Sequence, residues 1–155
     1  MRTIASINLF LAALIALCCG PNAVSAHDGA QGVVQERMDL MKSIGQAMKD
    51  ISKMARGKAP LENAKILEAA KTIAKHGDRI PYLFPTGSVS APSGGSPEIW
   101  RNPDSFNKRA EDLVESANSL AAAAVANNLG KITETYRLLG KTCSGCHSQF
   151  RLKKK

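Results

Sequence analysis

Five residues near the end of the sequence, Cys143-Ser144-Gly145-Cys146-His147, restrict the fold more than any other stretch. C-x-x-C-H is the attachment signature of c-type haem. On a helix, positions i, i+3 and i+4 share one face. Two thiols on that face reach two vinyl groups of one porphyrin, and the adjoining imidazole reaches its iron. Apolar or sulfur residues recur around the motif at Ile132, Tyr136, Leu139, Cys143, Cys146 and Phe150, in steps of four and three. That period predicts a helix with both cysteines on its buried seam.

Two other chemistries compete for this motif. A structural zinc site needs two further ligands at finger-like spacing. Outside the N-terminal segment there is no other cysteine, and His27 and His76 are remote in sequence. A thioredoxin-like pair opens a helix within a βαβ pattern, whereas this pair lies inside the last helical segment of a chain without strand signals.

Residues 1–26 read as a secretory signal peptide. Arg2 gives a short positive start, Ile4 to Leu17 is almost wholly apolar, and Val24-Ser25-Ala26 precedes a cut before His27. The run is short for a membrane span, and Gly20-Pro21 breaks it. A lipoprotein reading through Cys18 or Cys19 is disfavoured by bulky Leu17; an uncleaved anchor is the other alternative. Export to the periplasm puts the chain where thiols oxidise. A disulfide between Cys143 and Cys146 closes almost no loop and stabilises little, so covalent haem explains the pair better.

Cleavage leaves residues 27–155, one domain by length. Alanine is abundant and aromatics are 5% of the sequence, which favours close-packed helices over sheet. The formal charge is +8. In an exported protein this fits an acidic redox partner or solubility, and not nucleic acid. The run Arg151, Lys153, Lys154, Lys155 reads as a solvated tail.

Four amphipathic segments follow. The first runs from about Val33 to Arg56, with Val34, Met38, Met41, Ile44, Met48, Ile51 and Ala55 on one face. The second runs from about Leu61 to His76, with Gly77 as its stop. Between Gly77 and Pro103 lie five of the seven prolines, so this stretch is a long crossover. Tyr82, Leu83, Phe84, Ile99 and Trp100 are its expected anchors, and Ser88 to Ser96 its expected mobile tip. The third helix starts near Asp104, capped by Asp104 or Ser105, with Phe106, Ala110, Leu113, Ala117, Leu120 and Ala124 inward. After a turn at Asn127-Asn128-Leu129-Gly130, the fourth spans about Lys131 to Arg151. The fold class is all-α: an antiparallel four-helix bundle with haem c in its core.

His147 is the expected proximal iron ligand. Four methionines follow the signal, Met38, Met41, Met48 and Met54, all on the first helix. Methionine is a good core filler, and the pattern does not choose among Met38, Met41 and Met48 as residues able to approach a haem.

With these residues in place, the sequence resembles the class II c-type cytochromes: cytochrome c′ and its low-spin, methionine-ligated relatives. Arg37-Met38-Asp39-Leu40-Met41 is similar to the family's arginine followed four residues later by the distal haem residue. Leu83-Phe84-Pro85-Thr86-Gly87 resembles its F-P-x-G segment, and Pro97-Glu98-Ile99-Trp100 its I-W approach to the third helix. Cys143 to Arg151 matches its C-terminal haem helix, including an arginine four residues past the histidine.

The resemblance implies one haem c per chain, held by thioethers to Cys143 and Cys146. It implies Met41 as sixth ligand beside His147, Arg37 near a propionate, and Arg151 shielding the proximal side. A His/Met pair raises the reduction potential and closes the iron to small ligands. The expected function is one-electron transfer with a redox partner protein, by a soluble protein that is not an enzyme. The alternative is a five-coordinate haem that binds nitric oxide or carbon monoxide, with Met41 packing without bonding. A third and weaker reading is a structural module with zinc on C-x-x-C-H. Dimerisation through the first two helices is common in the family and is not fixed by the sequence.

Overall fold

A computed structural model describes residues 30–88 and 91–153. The expected signal peptide, with Cys18 and Cys19, lies outside the described residues, as do Lys154 and Lys155 at the end of the tail. Among the described residues the ordered elements are helical: α1 (Gly32–Ala55), α2 (Asn63–Arg79), a 3-10 turn (Pro81–Leu83), α3 (Glu98–Arg101), α4 (Pro103–Val125) and α5 (Leu129–Phe150). The four long helices form the expected four-helix bundle. α2 packs most extensively on α4, α4 on α5, and α1 on α2, whereas α1 and α5 barely meet.

The core is built from the predicted periods. Ile51, Ile66, Ile73, Leu120, Ile132 and Leu139 are fully buried, each contributing about 1.5–3 kcal/mol of apolar transfer. All six seam residues predicted for the third helix are buried. Alanines at 110, 117, 123 and 124 keep that seam thin. Helix ends follow local chemistry. Gly57, at φ +66, donates its N–H to Met54 O and turns the chain out of α1. The Asn128 side chain caps α5 by accepting the Lys131 N–H at 2.9 Å.

Several details depart from the sequence reading. Gly77 does not stop α2; the helix continues to Arg79 with Gly77 buried inside it. A β-carbon there would stand 2.8 Å from Val114 Cγ2, so this glycine serves close helix packing. The buried face of α1 is Val34, Arg37, Leu40, Ile44, Ala47, Ile51 and Met54. Met41 and Met48 pack at its shoulder, half-buried. α4 is entered through Asn102 and Pro103, with no side-chain cap bond from Asp104 or Ser105, because proline at the first position presets the helical φ.

The crossover is anchored by Leu83 and Ile99, both buried, and by half-buried Phe84 and Trp100. Tyr82 is 82% exposed and anchors nothing; it projects from a 3-10 turn whose buried side is taken by Leu83. The expected mobile tip is tied down over its described part. Ser96 N–H donates to Phe150 O at 2.9 Å, and Leu152 N–H to Gly94 O at 2.9 Å. These bonds clasp the crossover to the end of α5 across a Gly95–Arg151 bridge.

Candidate haem site

Cys143, Cys146 and His147 emerge on one side of α5, as the i, i+3, i+4 spacing requires. Together they line an apolar pocket with a cavity volume of about 40 Å³, whose other walls include Met41 and Ile44 of α1, Ile80, and Arg109, Ala110 and Leu113 of α4. Of the four methionines on α1, Met41 is the one in this lining.

Both thiols are free and half-buried. Burial pushes both above the ordinary thiol range, with Arg109 pulling the other way on Cys146. Burial lowers the affinity of His147 for a proton, and the nearby charge of Arg151 lowers it further. A neutral imidazole is the form that binds a metal.

The donor set fits haem c. Two unpaired thiols share a helix face with an imidazole, a thioether reaches the same pocket from another helix, and the intervening walls are apolar. α1 and α5 barely meet, and the pocket between their apolar walls holds only about 40 Å³, so seating a haem there would spread the two helices apart. Zinc fits less well: among the described residues no group of three His, Cys, Asp or Glu side chains stands close enough to hold a metal ion.

Arg37 and Arg151 are not among the residues that line this pocket. Arg37 is 3% exposed. It donates to Ser88 O at 2.8 Å and to Ser93 Oγ at 3.4 Å. Its guanidinium carbon sits 4.5 Å from the Phe84 ring centroid, within cation–π range. It therefore ties α1 to the crossover and does not line the pocket. Phe84 continues an edge-to-face series through Phe106 to Phe150, with centroids 5.0 and 5.3 Å apart. Arg151 is exposed and ends α5, its N–H donating to His147 O at 3.3 Å.

Arg109 is a pocket residue that the sequence reading missed. It lies three residues after Phe106 and four before Leu113, so it borders the apolar seam of α4; that spacing is the one signal that marks it.

The chain is similar to known proteins in sequence and in fold. The family model described as Cytochrome C′ matches residues 32–151. Cytochrome c-556 of Agrobacterium tumefaciens (strain II Chrys) is 33% identical over 123 residues, covering 79% of this chain and 99% of the relative. Cytochrome c′ of Pararhodospirillum photometricum is 32% identical over 122 residues, covering 78% and 97%. A nitric oxide complex of a cytochrome c prime mutant from Alcaligenes xylosoxidans superposes with a TM-score of 0.73 at 24% identity, covering 79% and 94%.

Proposed function

The chain belongs to the cytochrome c′ family of class II c-type cytochromes, which carry covalent haem c, and on that premise we propose that it transfers single electrons in the periplasm with a His/Met-ligated iron. When bound, the haem supplies a one-electron ferric/ferrous couple. Cys143 and Cys146 would hold it by thioethers, and His147 would bind the iron from the same helix face. Met41 would supply a second protein ligand from α1. Ala110 and Leu113 would help keep water out of the pocket. Arg37 fixes the crossover over the bundle, and Arg151 lies on the His147 side. Residues 1–26 direct export and are removed, leaving residues 27–155 as the functional domain. On this reading both thiols and His147 are committed to the haem, and the chain is an electron carrier and not an enzyme. Loss of Arg2 with the signal lowers the formal charge from +8 to +7, which suits an acidic redox partner.

The observation that carries this reading is that Met41 and His147, from different helices, line one pocket. A thioether in that position favours the ferrous state and leaves no open coordination place. Optical spectra of the purified holoprotein test it. Sharp split visible bands after dithionite, with little response to carbon monoxide, are the expected result.

The second reading is a five-coordinate haem that binds nitric oxide or carbon monoxide. It is favoured by the relatives named cytochrome c′ and by the nitric oxide complex solved for the Alcaligenes xylosoxidans protein. A broad high-spin spectrum that changes readily with carbon monoxide would select it, with Met41 as packing only. In either reading no helix among the described residues is long and apolar enough to cross a membrane.

A further inference from the structure

Arg109 brings a permanent positive charge to an otherwise apolar pocket. Arginine keeps its proton throughout the working pH range. It passes close to the haem motif: a β-carbon on Gly145 would lie 3.7 Å from an Arg109 terminal nitrogen, an ordinary van der Waals contact. The guanidinium thus lies beside the motif on the Cys146 side, where its charge acts on that thiol. No hydrogen bond or ion pair to a carboxylate is formed by Arg109 among the described residues, although Lys108 next to it is paired with Asp112 at 2.6 Å. Arg109 is half-buried, where solvent screens its field less than at a fully exposed site.

Cys143 and Cys146 take the vinyl side of a macrocycle, and the propionates leave from the far side. A cation seated beside the thiols is therefore not placed to pair with a propionate. With haem attached, Arg109 would stand near the thioether edge, its field reaching the ring and the iron.

We propose that Arg109 is an electrostatic tuning residue that raises the reduction potential of the haem from the thioether edge of the pocket it lines with Cys143, Cys146 and His147. Reduction adds one electron from an external one-electron donor, the redox partner, and lowers the charge of the iron–porphyrin unit by one. A fixed cation nearby favours the state with the additional electron. Arg109 does not touch the iron; it acts through space. This inference rests on haem attachment at Cys143 and Cys146 and is independent of whether Met41 ligates.

The test is a midpoint-potential titration of the holoprotein and its Arg109→Lys, Arg109→Gln and Arg109→Glu variants, after a pyridine haemochrome assay on each. Wild type is expected to carry one covalent haem. The lysine variant should stay near the wild-type potential, glutamine should fall below it, and glutamate should fall furthest, with unchanged visible spectra. If the glutamate variant does not assemble, lysine against glutamine still decides, because they differ in charge. Equal potentials for lysine and glutamine overturn the proposal, whether or not both differ from wild type. A wild-type protein without covalent haem overturns haem attachment itself, and the role of Arg109 with it.

Discussion

Gly77 of α2 and Val114 of α4 meet so closely that a β-carbon on Gly77 would stand 2.8 Å from Val114 Cγ2. Valine is stiff at χ1, so the contact has little room to yield. Gly77→Ala gains about 1 kcal/mol in helix propensity and incurs an overpacking cost of about 1–3 kcal/mol. The expected net result is a modest loss of stability in chemical denaturation. Val114→Ala introduced into that background should recover part of it. Additive effects of the two substitutions in a double-mutant cycle would refute the contact.

Met41→Ala probes the proposed sixth ligand. The potential of the holoprotein should drop and the ferric spectrum should become high-spin, with carbon monoxide binding newly gained by the ferrous form. An unchanged ferric spectrum would rule out ligation by Met41. Met48→Ala serves as the control, since Met48 does not line the pocket.

Arg37→Met removes the donors to Ser88 O and Ser93 Oγ while keeping much of the stem that packs near Phe84. A hydrogen bond to a charged group contributes about 1.5–3 kcal/mol; the 2.8 Å bond counts fully and the 3.4 Å bond adds little, so a stability loss of roughly 2–3 kcal/mol is expected. Amide exchange should accelerate at Ser96 and Leu152, whose N–H groups form the clasp with α5 and the crossover. Unaltered exchange there would show that Arg37 does not hold the crossover.

Removing either thiol tests attachment directly. In Cys143→Ala or Cys146→Ala, one thioether should remain, and the reduced pyridine haemochrome band should shift to longer wavelength as a vinyl group is restored. The double variant should lose its haem under denaturing electrophoresis. Haem staining that survived in the double variant would exclude attachment through these cysteines.

Much of the fold was legible because helical periods record burial. The seams of α4 and α5 read directly from Phe106, Leu113, Leu120, Ile132, Leu139 and Phe150. The face of α1 was read about one residue out of register. Two interleaved stripes were available, one through Met38, Met41 and Met48 and one through Arg37, Leu40, Ala47 and Met54. A charged residue argues against the second until its partners are known, and those partners, Ser88 and Ser93, lie more than fifty positions away. Gly77 misled for a related reason: glycine in a helix signals either a stop or a close neighbour, and the neighbour Val114 is invisible in local sequence. The cysteines and His147 were legible because their spacing is itself the chemistry. Arg109 was not, because a cation beside a seam usually faces water, and it becomes informative only once α4 is laid against the haem motif.

The uneven packing of α1 has a mechanical consequence. This helix is secured chiefly through α2 and the crossover, and scarcely at all through α5. Leu40, Ile44 and Ile51 nonetheless hold it in the common core, so the freedom left to it is in its separation from α5. In the proposed holoprotein that separation would set the reach of Met41 toward His147, and an incoming ligand would shift the balance between bonded and unbonded thioether by the difference in its affinity for the two.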